Sequence, residues 1–188
     1  MLQRLSTHCI EVRTPEQLQT CDGLILPGGE STTMTRLLRT SGLLEALRLF
    51  GAEKPLFGTC AGCILMAMES SDARIHPLGL IDMHVERNAF GRQSDSFCTQ
   101  LTLRSRPIPG TFIRAPRIRS IGTDVTVHCR FGDEAVLVQQ GKHLASTFHP
   151  ELSKDPSVHQ LFPDITASAA RSSSLHRSGC SECDRGAG

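Results

Sequence analysis

The sequence predicts a mixed α/β domain whose first half is a parallel sheet covered on both faces. Two observations carry this. The short apolar runs Leu24-Ile25-Leu26 and Leu56-Phe57 break at Pro27-Gly28-Gly29 and at Gly58 and lead into segments of helical periodicity, and buried strands alternating with helices build parallel sheets. After His76 the helical period gives way to short extended runs punctuated by Gly and Pro, the texture of antiparallel strands.

The first residues suggest the end of a helix and then a short strand at 9–12. A helix start follows at Thr14-Pro15-Glu16-Gln17, where Thr14 can cap, Pro15 suits the first helical position and Gln17 completes a capping box. Asp22-Gly23 ends that helix. Leu24-Ile25-Leu26 is the first buried strand, broken by Pro27-Gly28-Gly29. Helical spacing then places Met34, Leu37 and Leu38 on one face, pauses at Ser41-Gly42, and resumes through Leu43, Leu44, Leu47 and Phe50. On the plainer reading of the loop that opens this region, an ordinary strand-to-helix connection, Ser31 or Thr32 would be the cap. A strand at 55–57 runs into Gly58-Thr59-Cys60-Ala61-Gly62, which opens a helix to about Met68. Extended segments are expected at 83–86, 97–103 and 111–114. A meander follows at 125–128, 135–139 and 144–148, turning at Gln140-Gly141-Lys142.

With 188 residues the chain is one domain, long enough to bury roughly 70% of its unfolded surface without disulfide or metal. Its net charge of +1 excludes the basic excess of nucleic-acid and anionic-membrane binders, and with no Trp or Tyr it has few rings for stacking bases. No run approaches the ~20 apolar residues of a membrane span, and the first residues lack the apolar core of a secretory signal. The eight cysteines are scattered without framework spacing, as in reduced, cytoplasmic proteins. From Pro163 onward large aliphatic residues almost vanish, so 163–188 is expected to be a disordered tail.

The chemistry concentrates at three places. Gly58-x-Cys60-x-Gly62, between a buried strand and a helix, has the form of a nucleophile elbow carrying a thiol, although the pentapeptide alone suits a buried structural cysteine equally well. His149-Pro150-Glu151 decides between them. Residues two apart in extended chain share a side, and a carboxylate on one imidazole nitrogen leaves the other free to take a thiol proton. Pro27-Gly28-Gly29-Glu30-Ser31 ends another strand, where paired glycines let backbone N–H groups approach an anion. A thiol, a His-Glu pair and a Gly-Gly loop at strand ends make an acyl-transfer site for an amide or ester.

These residues resemble a known family. LPGGESTT at 26–33, GTCAG at 58–62, VERNAFGRQ at 85–93, FIRAP at 112–116 and FHPEL at 148–152 are similar to the glutaminase subunit of pyridoxal 5'-phosphate synthase. The Cys-His-Glu set alone would indicate only the wider class I glutamine amidotransferases; VERNAFGRQ and FIRAP narrow it to the vitamin B6 branch. The resemblance implies a flavodoxin-like three-layer sandwich with a mainly parallel central sheet, a glutaminase domain over residues 1–162, and hydrolysis of L-glutamine to glutamate and ammonia for a synthase subunit. It implies Cys60 as nucleophile, His149 as general base and acid, and Glu151 as its orienter. The N–H groups of Gly29 and Ala61 would form an oxyanion hole, and Gly29, Glu30, Ser31, Arg87, Ile113 and Arg114 would line the glutamine site. No cofactor or metal is expected; Cys180-x-x-Cys183 with His176 offers three zinc ligands without a fourth. Neither nucleic acid nor membrane is expected as a partner. The family begins with a strand and a Leu-Gln-Gly loop before its first helix, so the resemblance also implies that this first strand is missing here. The alternatives are a catalytically impaired protein that only binds the synthase subunit, and another class I glutaminase such as the one serving histidine biosynthesis.

Overall fold

The computed structural model describes residues 5, 7–87 and 96–178, with side chains through Ser168 and at Arg171. Its first helix, α1 (Pro15–Gln19), starts at the expected capping box: the Thr14 hydroxyl accepts from the Gln17 N–H and the Gln17 side chain accepts from the Thr14 N–H. The chain continues through β1 (Leu24–Leu26), α2 (Ser31–Thr40), α3 (Leu43–Glu53), β2 (Leu56–Thr59), α4 (Ala61–Met66) and β3 (Ala67–Ser70). Strands β4 (Ile81–Glu86), β5 (Ser96–Leu103), β6 (Arg106–Ile113), β7 (Arg117–Ile121), β8 (Thr126–Phe131), β9 (Glu134–Gln140) and β10 (His143–Ser146) come next. A 3-10 turn (Pro150–Leu152) and α5 (Ser157–Ser178) follow.

The central sheet has the order β1-β2-β10-β9-β8, parallel across β1, β2 and β10 and antiparallel at β9 and β8. Side chains alternate across it. Leu56, Val138 and Ala145 enter one core with α1, α3, α4 and the β3-β4-β7 sheet, whereas Phe57, Leu137 and Leu144 enter the other with the β5-β6 hairpin and α5. Period-two alternation thus gives two cores and three layers. Each fully buried side chain such as Phe57 or Leu144 contributes about 1.5–3 kcal/mol.

Four expectations are corrected. Residues 9–12 form no strand: extended chain needs a ladder partner, and β1 pairs on one edge with β2 and with no strand on the other among the described residues. A groove of about 1590 Å³ is lined by residues 7–13 together with β1, Leu37, Leu38 and Leu43. The helix after Cys60 stops at Met66 and not near Met68, because Ala67 turns extended and pairs in parallel with Ile81. The cap of α2 is Glu30, whose carboxylate accepts from the N–H groups of Thr32 and Thr33. Finally, the backbone is helical through Ser178 with Pro163 inside α5, so no break falls at 162/163. Val158, Leu161 and Phe162 are buried and Ile165 packs on the same core, anchoring a segment rich in alanine; the proline forfeits one backbone hydrogen bond without ending the helix. Residues 179–188, with Cys180 and Cys183, lie outside the described residues. Among the described residues no helix is long and apolar enough to cross a membrane.

Candidate active site

The site is assembled where β1, β2, β6 and β10 end. Cys60 stands between β2 and α4 with φ 49° and ψ −103°, a conformation that costs an L-residue about 1–3 kcal/mol and collects at functional sites. Its surroundings enforce it. A Cβ at Gly62 would collide with the Leu26 carbonyl, and one at Gly58 would come within 2.6 Å of the Gly62 backbone, so only glycine lets α4 approach β1 and β2 this closely. The Cys60 N–H donates to the Ser146 carbonyl at 2.9 Å, tying the elbow to β10. Its thiol donates to the Ile113 carbonyl at 3.9 Å, the last residue of β6.

His149 leaves β10 through a turn held by Ser146, whose hydroxyl donates to the Phe148 carbonyl. The His149 N–H donates to the Thr111 carbonyl on β6 at 2.8 Å. A Cβ at Gly28 would strike the His149 ring and lie 3.5 Å from the Cys60 Cβ, which places the glycine loop, the imidazole and the thiol in mutual contact. Nδ1 of His149 lies 2.7 Å from Glu151 Oε1 across the 3-10 turn. Cys60 first, and then Glu151, push the His149 ring up to about 10, against the opposing effect of burial. Burial acts upward on Glu151, but the hydrogen bond from His149, its own backbone N–H and the charges of His149 and His159 leave it below the usual carboxylate range. Three residues expected to act together are therefore brought together, and the His-Glu pair is polarised toward a charged imidazole. Cys63, by contrast, is fully buried, and burial followed by the neighbouring Cys60 pushes its thiol up, leaving it inert.

On one side of this trio, Gly29 has φ 154° and leads into Glu30. The Glu30 carboxylate accepts from the Thr32 hydroxyl and the Thr33 N–H, and the side chains of Thr32 and Thr33 first, then their N–H groups, hold it at about 2. It also accepts from Arg87 Nη2 at 2.5 Å, so the two residues expected to meet the charged ends of an amino acid are joined. Ser31 is buried, and its hydroxyl has no hydrogen-bond partner among the described residues, which leaves an unsatisfied polar group beside the loop. Ala61 opens α4, where the first N–H groups lack carbonyl partners within the helix. Arg114 follows β6 with φ 44° and an exposed side chain that makes no ion pair among the described residues. Residues 88–93 of VERNAFGRQ lie outside the described residues.

Sequence reasoning missed two neighbours. Asp72, after β3, accepts from Arg87 Nη1 at 2.9 Å and from Arg74; its only signal was an Asp two residues before an Arg. His159, on α5, is buried, stacks edge-on to Phe57 and carries an Nδ1 without a partner among the described residues. Its helical spacing pointed only to the core.

The arrangement suits a small zwitterion bearing an amide: a thiol for the amide carbon, an imidazole for its leaving group, and carboxylate and guanidinium groups for the charged end. Known proteins agree. The profile of the SNO glutamine amidotransferase family matches residues 1–167. The pyridoxal 5'-phosphate synthase subunit PdxT of Bacillus velezensis is 50% identical over 156 residues, covering 81% of this chain and 80% of that protein. PdxT of Desulforudis audaxviator is 46% identical over 160 residues, covering 83% and 85%. A crystal structure of a glutamine amidotransferase matches with a TM-score of 0.84 at 45% identity, covering 88% of this chain and 90% of that one. With its elbow, its sheet order and its relatives all in accord, the chain belongs to the SNO glutamine amidotransferase family.

Proposed function

We propose that the chain is the glutaminase subunit of a pyridoxal 5'-phosphate synthase, working in the cytoplasm: it hydrolyses L-glutamine to L-glutamate and ammonia and delivers the ammonia to a synthase subunit. The observation that carries this reading is the convergence of Cys60, His149 and Glu151 beside the Glu30–Arg87 pair, in a chain about half identical to PdxT proteins.

The reaction follows from the groups present. Cys60 passes its thiol proton to His149 and its Sγ attacks the carboxamide carbon of glutamine, while the N–H groups of Gly29 and Ala61 receive the developing oxyanion. His149, with Nδ1 fixed by Glu151, gives its proton to the departing nitrogen, so ammonia leaves and a thioester remains on Cys60. A water molecule then attacks the thioester as His149 takes its proton, and glutamate is released. Arg87 and Arg114 meet the substrate's α-carboxylate, Glu30 and the Ile113 carbonyl meet its ammonium, and the unpartnered Ser31 hydroxyl supplies a further hydrogen bond. Glu30 stays charged at every working pH, so the ammonium always finds an anion.

Gly28-Gly29 can reorient its peptide at little cost, so the oxyanion hole is completed when the synthase subunit docks and ammonia is not released to solvent. The test is glutamate release by the full chain, alone and with a synthase subunit, beside Cys60→Ala. The expected result is turnover that rises on mixing and vanishes in Cys60→Ala. Turnover retained by Cys60→Ala would overturn the assignment, and equal turnover with and without partner would remove the gating.

A further inference from the structure

We propose that Asp72 is a positioning residue for substrate recognition: it gives the Arg87 guanidinium a second anchor beside Glu30 and so holds it at the angle at which it receives the α-carboxylate of L-glutamine. The proposal rests on the glutamine site described above and adds to it a residue that touches no substrate.

Arg87 is the first residue after β4, and its side chain must reach back across the site. Two carboxylates divide it. Nη2 donates to Glu30 Oε1 at 2.5 Å and Nη1 to Asp72 Oδ2 at 2.9 Å. A guanidinium has five N–H bonds, and these two pairs leave the remainder for a ligand. Asp72 is the better-anchored partner. Its side chain is 15% exposed, against 46% for Glu30, and it accepts from Arg74 through the backbone N–H at 3.1 Å, Nε at 2.9 Å and Nη2 at 2.7 Å. The loop around it is held as well, since the Asp72 N–H donates to the Ser70 hydroxyl and the Arg87 N–H to the Ser71 hydroxyl. Arg74 and then Arg87 keep the Asp72 carboxyl well below the usual range, so it stays an anion wherever the protein works.

The charges explain why a second carboxylate is present. With Asp72 in place the cluster holds two guanidiniums and two carboxylates, and a zwitterion can enter without creating net charge. Without it, Glu30 is the only carboxylate left to Arg87 among the described residues. Held from the Glu30 side alone, the guanidinium turns out of line with the substrate carboxylate. Loss of Asp72 therefore weakens recognition of the amino-acid end and leaves the thiol chemistry unaffected.

The experiment compares two substrates in the full chain mixed with a synthase subunit, reading ammonia release. One is L-glutamine; the other is 4-aminobutanamide, which is glutamine without its α-carboxylate. Asp72→Asn is expected to raise KM for glutamine about tenfold, the loss of one charge-assisted contact, with kcat within about twofold. Its kcat/KM for 4-aminobutanamide should not change, because that substrate offers Arg87 nothing. Asp72→Glu, which restores the charge, should recover part of the KM. Equal losses on both substrates would mean that Asp72 only supports the fold, and an unchanged KM for glutamine would mean that Arg87 needs no second carboxylate; either overturns the proposal. Arg87→Gln separates this from the underlying assignment: if it too leaves the KM for glutamine unchanged, the glutamine site itself is wrongly placed, whereas a raised KM there beside an unchanged one in Asp72→Asn removes Asp72 alone.

Discussion

Gly62→Ala is the smallest change that should damage both the fold and the chemistry. A methyl group built at Gly62 collides with the Leu26 carbonyl oxygen and stands 2.8 Å from its carbon and 2.9 Å from the Leu26 Cβ. Ordinary carbon contacts begin near 3.5 Å, and the obstacle is strand backbone, which cannot rotate away. The first turn of α4 must therefore withdraw from β1 by roughly half an ångström to an ångström, a misfit of the kind that costs about 1–3 kcal/mol in a packed core. Cys60 rides on the same turn, and a displacement of about 1 Å at a reacting group lowers the rate about 100-fold. Gly132→Ala is the control. Gly132 has a positive φ, 59°, and a Cβ there meets nothing within 4 Å; its change to Ala should cost about 1–2 kcal/mol of backbone strain and no activity. Urea melts and glutamate release with the synthase subunit present measure both effects. If Gly62→Ala melted like the parent and turned over glutamine at the parental rate, the close approach of α4 to β1 could not be what sets the elbow.

Three further outcomes follow from the same geometry. His149→Asn should abolish turnover, whereas Glu151→Gln should retain a trace, down about 1,000- to 10,000-fold, because the orienter acts through tautomer and charge; a Glu151→Gln protein as active as the parent would make the pair merely structural. The His149 ring is raised from its ordinary 6.5 to about 10, so the native state holds a proton that the unfolded chain gives up. Its contribution to stability is complete below about pH 6.5 and is lost as pH rises toward 10; urea melts across that window should show a decline that His149→Asn flattens, and equal slopes would refute the pairing. The edge of β1 that no described strand covers and the apolar groove beside it invite association. Leu37, 56% exposed and lining that groove, should as Leu37→Glu reduce light scattering on storage while shifting stability by no more than about 0.5 kcal/mol; unchanged scattering would acquit this face.

What could be read in advance divides along the range of the interactions. The capping box at Thr14 and Gln17, the pause at Gly42, the strand ending at Leu26 and the elbow at Cys60 are local, each fixed within a few residues by hydrogen bonding or by a missing Cβ, and each stands where the sequence puts it. The errors are nonlocal. Ala67-Met68-Glu69-Ser70 has no alternation that marks it as a strand; it is extended because Ile81 and Val85 offer a ladder. Residues 9–12 have strand composition and, among the described residues, no ladder to join. Pro163 reads as a helix breaker, yet Phe162 and Ile165 pack beside it on the core of Phe57 and Leu161, and packing outweighs one lost hydrogen bond.

The site divides in the same way. Cys60, His149 and Glu151 were legible because the nucleophile needs a glycine-flanked turn and the base a carboxylate two residues on, although His149 and Glu151 meet across a 3-10 turn at Pro150–Leu152 and not along the extended chain that the sequence suggests. Asp72 leaves no trace in the residues around it. Its role depends on β3 and β4 lying side by side, with Glu69 opposite His84 and Ser70 opposite Val85, so that the residues leaving both strands meet and Arg87 crosses to a carboxylate fifteen positions earlier in the chain. Glu30 shows the intermediate case. Its position after Gly29 was legible, but capping α2 and binding Arg87 with one carboxylate was not. The two duties are coupled: the Thr32 and Thr33 side chains first, and then the N–H groups that it caps, hold it ionised, so the helix start keeps the anion in the state an incoming ammonium requires. A change that loosened the α2 cap would therefore weaken substrate recognition without touching the thiol, and any account of specificity in this site has to begin with the helix that presents Glu30.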